Sequence, residues 1–413
     1  MPPFLSGSHA VLDWTQAKFS KGGDNIKEEE KGVFWLRRKQ RQEDQKEGKM
    51  LAKKKISTYF VLIAAIVILG IYGGSLQAAE KAKPDVVTIL LCPLGCGPLG
   101  GDTVLGGLVA RKDPSLIFRA QETPGYMYNI REMNANKRRW KNTMFGIEDD
   151  ILNFAPLGGK DPFKEFFPTP LNEKFQLLYG EAFWVQGHMW VTFDPKLKKI
   201  ADLKGKKLGI GLRTQSDWGF NTRIDLEFGY GITTKNTKIF HLGPAKEVEE
   251  LLDGKVDAII MGLGAEPLYK NWLIVGPLRN LEAAGRKIYY IGMECEVLEK
   301  LNKKFGTSYL CIDVPPGTLP YQTEPLTVGA DRGYKAVHET FPEDLAYRIV
   351  KAVAKYGPQM KELHGLWKIW NPDLMVCGLT ETNTNPGAIR AYKELGLWDL
   401  RKKYAPVKLW WEK

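Results

Sequence analysis

Two stretches of this chain constrain its fold most. Residues 201–211, ADLKGKKLGIG, and 253–264, DGKVDAIIMGLG, each pass from a charged turn into a short apolar strand that ends in glycine. The first strand, 207–211, is followed by a loop of small and polar residues, RTQSDWG, and a helix predicted over 220–228. The second, 256–261, follows a helical 247–252 and a turn at Gly254, and ends in Gly262 and Gly264. Strand, polar loop and helix in this order build an open α/β sheet, whose ligands sit in the crevice at the carboxyl ends of the strands. Nothing on these loops has the make-up of a catalytic group. They point to a protein that holds a small molecule without altering it.

A chain of 413 residues is long enough for two domains with separate cores. Its 44 % apolar and 26 % charged residues are those of an ordinary globular protein. Of the net charge of +11, residues 1–49 carry +2 and Lys53, Lys54 and Lys55 carry +3, which leaves about +6 for the rest. That excess suits attraction of an acidic solute. With no basic stripe interleaved with aromatics, nucleic acid is not an expected partner. Five cysteines leave at least one thiol unpaired, which excludes a disulfide scaffold. Cys92 and Cys96 are close enough in sequence for a local disulfide, or for two independent packed thiols.

Lys53-Lys54-Lys55, an apolar run at 56–74 and the small-residue exit Ser75-Leu76-Gln77-Ala78-Ala79 form the pattern of a secretory signal over 50–79. The same run is near the length of a membrane span, so an uncleaved anchor is the alternative. Either way the rest of the chain is expected in the periplasm. Export signals belong at the amino terminus, and residues 1–49 show no sustained periodicity. Translation is therefore expected to begin at Met50. Peptides from 31–46 in a cell extract would refute that start site.

Beyond the signal, strands are predicted at 85–91 and 116–121, around a glycine-rich loop, CPLGCGPLGGD, and a helix from Thr103. A helix over 128–139, a strand and helix within 145–154 and a Pro/Gly-rich loop over 155–171 follow. The run 174–193 fits one or two buried strands. A second set contains strands at 207–211, 238–242, 256–261 and 287–293 with helices at 220–228, 245–252 and 295–304. Residues 309–328 are extended, and helices at 343–357, 360–370 and 387–395 close the chain. This order gives lobe I over 84–193, lobe II over 194–312, and a hinge return with the closing helices of lobe I over 313–413. The fold class is α/β, two lobes with a ligand cleft between them, which suits closure on a ligand.

The candidate contacts are the loops that face such a cleft. Thr214, Gln215, Ser216, Trp218 and Gly219 lie between a strand and a helix start, where free N–H groups favour an anion such as a carboxylate. Asp217 must then face away. The plain alternative is that Ser216 or Asp217 caps the helix. Thr123, Gly125, Tyr126 and Asn129 form the equivalent loop of lobe I. Gly95 and Gly97, with Gly100 and Gly101, permit close backbone approach, but match neither nucleotide-binding glycine pattern. Trp184, Trp190 and Trp218 offer aromatic walls and Gln186 an amide, against the plainer reading that alternate residues of 183–193 are core. Gly262 and Gly264 end the lobe II strand, beside Glu266, which reads as a solvated acid, with selection of a cationic group as the alternative. The five dispersed histidines give no metal spacing, so neither metal nor cofactor is expected, and no catalytic set is present. His188 and His241 read as structural.

These motifs resemble the TAXI-family solute receptors of tripartite ATP-independent periplasmic (TRAP) transporters. The likeness rests on ADLKGKKLGIG, on DGKVDAIIMGLGAEP, on VPPGTLPYQTEPLTVGA at 314–330 and on NPGAIRAYKELGLW at 385–398, with Asn385 where the family usually has histidine. It implies a type II periplasmic-binding-protein fold, no enzymatic activity, and delivery of the solute to a membrane permease driven by an ion gradient. The receptor of an ABC importer is the alternative. The loops TQSDWG and CPLGCGPLGGD depart from the family's usual forms where ligand would touch, so the resemblance does not carry over a ligand.

Overall fold

The computed structural model describes residues 83–94 and 96–412 together with Lys39, without the side chains of 182–187. The expected signal and, Lys39 apart, the segment before it lie outside the described residues. Among those described, no helix is long and apolar enough to cross a membrane.

Eleven strands are present among the described residues: β1 (Asp85–Leu90), β2 (Leu116–Gln121), β3 (Thr143–Glu148), β4 (Phe175–Thr192), β5 (Lys207–Ile210), β6 (Lys238–His241), β7 (Ala258–Ala265), β8 (Trp272–Ile274), β9 (Tyr289–Ile291), β10 (Leu310–Val314) and β11 (Leu326–His338). The helices are α1 (Gly97–Lys112), α2 (Tyr126–Ala135), α3 (Asp149–Phe154), α4 (Thr222–Tyr230), α5 (Pro244–Leu252), α6 (Gly276–Ala283), α7 (Cys295–Phe305), α8 (Glu343–Leu363) and α9 (Pro386–Glu394).

All the strands join one sheet in the order β2-β1-β3-β11-β4-β7-β5-β6, with β10 beside β11, β8 beside β7 and β9 beside β4. Parallel pairs lie toward both ends, β1 with β2 and β3, and β5 with β6 and β7. Parallel neighbours need crossover connections, and these carry the helices. The two ends correspond to the two β-α sets expected from the sequence. They are joined by β4 and β11, which run antiparallel. Strand β11 pairs with β3 through 333–336, at the β1 end, and with β10 through 326–330. Strand β4 links it to the other end, pairing with β7 through 185–192. Their mutual register slips between Arg332 and Tyr334 and again between Lys335 and Ala336. An extra residue in an antiparallel pair bends and twists the strand.

Several expectations need correction. The run 174–193 is one strand, and the extended 309–328 divides into β10, a proline-rich turn and the start of β11. The glycine-rich loop is in large part the first turn of α1. Gly97 and Gly101 are there for packing: a Cβ would fall 2.4 Å from the Leu366 side chain at Gly97, and 3.0 Å from Trp367 at Gly101. The helix expected over 128–139 starts at Tyr126 and gives way to a short 3₁₀ turn, Lys137–Arg139. Strand β7 starts two residues late and continues through Gly262 and Gly264 to Ala265, held by β4 on one side and β8 on the other. The helices expected at 343–357 and 360–370 are one helix, α8, followed by a 3₁₀ turn, Gly365–Trp367. Pro358 lies inside α8 on an exposed face, where water can serve the carbonyl its ring frees. The sequence reading also lacked β8 and α6. Cysteines pair as Cys92–Cys96 and Cys295–Cys311, and Cys377 is a buried thiol.

Candidate functional site

The carboxyl ends of β1, β2, β3, β5 and β6 all open on one cavity of about 610 Å³, within the usual range for a small-molecule site. From the β1 end of the sheet come the Cys92–Cys96 disulfide, Gly97, Gly125, Tyr126 and Glu148. From the β5 end come Gln215–Trp218, Pro244, and Gly262–Gly264 on β7. Residues 273–277 and Arg279, from β8 into α6, line a further side, and His364–Leu366 with Lys368, just after α8, complete it. Helices α1, α2, α5 and α6 begin at the cavity, at Gly97, Tyr126, Pro244 and Gly276. Proline in the first turn of α1, α5 and α6 suits those starts, where its missing N–H has no helical partner to lose.

Of the expected contacts, Gly97, Gly125, Tyr126, Gln215, Ser216, Trp218, Gly262 and Gly264 line this one cavity. Gly95 and the side chains of Trp184 and Gln186 lie outside the described residues. Thr123, Asn129, Thr214 and Gly219 stand behind the wall. The Thr123 hydroxyl and the Asn129 amide both donate to the Leu91 carbonyl, at 2.7 Å each, and so fix the turn that carries Cys92. The Thr214 carbonyl accepts from the Met127 amide at 3.2 Å. Gly219 packs so closely that a Cβ would meet the Leu212 carbonyl oxygen at 2.1 Å. Trp190 is in the core. Glu266 selects no cation: its buried carboxylate accepts from the amides of Leu268, Lys270 and Asn271 and ties the β7–β8 turn.

Trp218 lies in a tight π-helical turn, Ser216–Asn221, that leads into α4. Its indole covers Gly262, where a Cβ would lie 2.9 Å from Nε1. A larger residue at 262 would push this aromatic wall into the cavity. Asp217 does not face away as expected; it lines the cavity. Its Oδ1 accepts from the Trp218 amide at 2.8 Å, and its Oδ2 is 3.6 Å from His188 Nε2. Glu148 is the last residue of β3, buried, and hydrogen-bonded by the Ser216 side chain. Burial first, and Asp217 second, push its carboxyl well above the usual carboxylate range. The anion expected on the 214–219 loop would therefore face two carboxyl groups. The basic residues missed from sequence, Arg279 on α6 and Lys368 after α8, line the cavity from exposed positions. Pro277 in a helix-start position was the one local signal for the first of them. Three successive acids, Glu148-Asp149-Asp150, in an apolar stretch were the signal for Glu148.

Behind the wall, β4 and β11 carry buried polar groups. The Asn221 amide donates to Asp331 Oδ2 at 2.9 Å, and His188 Nε2 is 4.0 Å from the same oxygen. The Tyr126 hydroxyl donates to Glu181 Oε1 at 2.8 Å, which also takes Lys335 Nζ at 2.5 Å. Burial, with Asp149 as the next cause, pushes Asp150 up to about 8. A carboxyl raised in this way holds its proton more tightly when folded. Its stabilising contribution is complete below the unfolded value and is lost as pH rises through the folded one. Between pH 6.5 and 8 the unfolding free energy should therefore fall more steeply in the native protein than in Asp150→Asn. The difference should approach about 1.4 kcal/mol per pH unit, the share of one proton. His241, lowered mainly by burial, acts with the opposite sign and only below its ordinary value. Urea titrations across that window test this, and parallel slopes would refute it.

An open α/β sheet with a cavity at its strand ends, lined from both ends of the sheet, defines a ligand-binding fold. The chain belongs to the NMT1-like family, whose pattern matches residues 108–396. No curated protein matches it in sequence. Among solved structures it is similar to the alkanesulfonate-binding protein SsuA from Xanthomonas axonopodis pv. citri bound to MOPS, at 13 % identity over 79 % of this chain and 86 % of that one, TM-score 0.38. It is also similar to MatC from Rhodopseudomonas palustris with bound malate, at 11 % identity over 78 % and 99 %, TM-score 0.44. A third likeness is to the periplasmic binding protein BugD, at 11 % identity over 77 % and 96 %, TM-score 0.40.

Proposed function

We propose that this protein is an extracytoplasmic solute receptor that serves a TRAP-type secondary transporter. It is not an enzyme. It captures a small carboxylate-bearing solute in the periplasm and presents it to the membrane permease. The observation that carries this reading is the cavity itself, built from loops at both ends of a sheet whose ends are joined through β4 and β11. Lobe I supplies Tyr126 and Leu366, and lobe II supplies Trp218 and Gly264. A solute that touches both lobes at once binds the closed form more tightly than the open one, and only that difference shifts the population. Arg279 and Lys368 give the solute's carboxylate its cationic partners.

A thermal-shift panel of organic acids and amino acids on the purified protein tests the reading. A single-site binder at a hundred times its Kd should stabilise the fold by about 2.7 kcal/mol. Silence across the panel, or chemical turnover of any binder, would overturn it. Uptake of the binder into membrane vesicles then separates transporter classes: collapse on adding an ionophore supports the TRAP assignment, and dependence on ATP assigns the protein to an ABC importer.

A further inference from the structure

Taking the solute-receptor reading as its base, we infer that the ligand is dipolar: an amine enters first and lies against Glu148 and Asp217, an apolar body follows, and an anionic group stays at the mouth with Arg279 and Lys368.

The cavity wall separates charge by depth. Its acidic groups are buried, with Glu148 at 1 % and Asp217 at 9 % exposure, whereas Arg279 and Lys368 are exposed. Asp217 uses Oδ1 on the Trp218 amide, while its Oδ2 receives no hydrogen bond among the described residues, and His188 Nε2 stands off at 3.6 Å. That oxygen is open to the cavity and free to accept from a donor that enters. An ammonium group brings three donors and the opposite charge. A carboxylate brings neither, and would place a third acid beside two.

The starts of α3 and of the Ser216–Asn221 segment do not reverse this preference, because the protein's own acids already occupy both. Glu148 is the N-cap residue of α3 and Asp217 sits in the first turn of the Ser216–Asn221 segment, where a carboxylate is favoured. The remaining wall is largely apolar, with Trp218, Leu263, Ile274 and Leu366 beside the polar Gln215, Ser216 and His364. We take the ligand's two charges to sit at the two ends of an apolar body, so they do not share one carbon. At the mouth, Arg279 and Lys368 make no ion pair among the described residues.

Calorimetric titration of the purified full chain with four compounds on one six-carbon scaffold tests the charge order: ε-aminocaproate, adipate, caproate and hexylamine. We expect ε-aminocaproate to bind at least tenfold more tightly than adipate or caproate. The double variant Glu148→Gln/Asp217→Asn should abolish that preference, with a melting curve to confirm that it folds. Arg279→Gln/Lys368→Gln should weaken ε-aminocaproate and leave hexylamine unchanged. Adipate binding as tightly as ε-aminocaproate, or no binding of ε-aminocaproate, overturns the inference on the unaltered protein alone. Adipate binding would still leave the solute-receptor reading standing, which falls only if the wider panel is silent.

Discussion

Lys335→Met should cost the protein about 3–5 kcal/mol of unfolding free energy, the usual penalty for stranding one side of a buried ion pair. Lys335 is 2 % exposed on β11, at the second register slip. Its Nζ lies 2.9 Å from Asp102 Oδ2 on α1 and 2.5 Å from Glu181 Oε1 on β4. Methionine matches the volume and removes the charge, which leaves two buried carboxyl groups facing each other. The variant can relieve this by taking up protons. In it, Glu181, already raised by burial, loses the Lys335 charge that lowers it and holds a proton to higher pH, so the deficit should shrink as pH falls toward 5. Exchanging all three residues for neutral ones, Lys335→Met with Asp102→Asn and Glu181→Gln, should recover most of the loss, since a whole buried pair is often replaceable. Denaturant midpoints at two pH values read these effects. A loss below about 1 kcal/mol at neutral pH, the scale of a surface pair, would refute the structural role given to this cluster.

The same cluster shows where the sequence stopped being legible. Strands β5 and β7 and helix α5 follow apolar periods and local turn chemistry, and they could be read within a residue or two at most ends. Strand β11 could not. Its Asp331, Arg332 and Lys335 look like solvent-facing residues, and their burial makes sense only with partners far away in sequence. Arg332 meets Asp149 through Nε at 3.0 Å and Nη2 at 2.6 Å, across 183 residues; Lys335 meets Glu181 across 154. Glycine misled in the other direction. A run that reads as a loop became the start of α1 because Leu366 and Trp367 need its missing side chains, a demand written over two hundred residues downstream. The candidate site was half legible for a related reason. Loops at strand ends can be found locally, but the charge of a cavity wall is a sum over elements. Arg279, Lys368 and Glu148 therefore stayed hidden, while Asp217 was seen and given the wrong direction.

Gly125→Ala should raise the Kd for a captured solute roughly 10- to 100-fold, the equivalent of about 1.4–2.8 kcal/mol. Gly125 has φ +139° and ψ 176°, a region essentially reserved for glycine, where backbone strain is of order 1–3 kcal/mol. A Cβ there would also fall 2.2 Å from the Thr214 carbonyl oxygen, and that same carbonyl accepts from the Met127 amide at 3.2 Å. This is where the start of α2, at one end of the sheet, touches the loop after β5 at the other. Separating the two would move Tyr126 away from Ser216 and Trp218 and open the cavity between them. Gly254→Ala provides the control: its φ is +69° and nothing lies within 4 Å of the added Cβ. That variant should lose about 1 kcal/mol of stability to left-handed backbone strain and keep its affinity. Calorimetric Kd values and denaturation midpoints for both variants separate closure from simple backbone cost. If the two lose stability equally and neither changes Kd, the Gly125–Thr214 contact does not govern how the two ends of the sheet grip a solute.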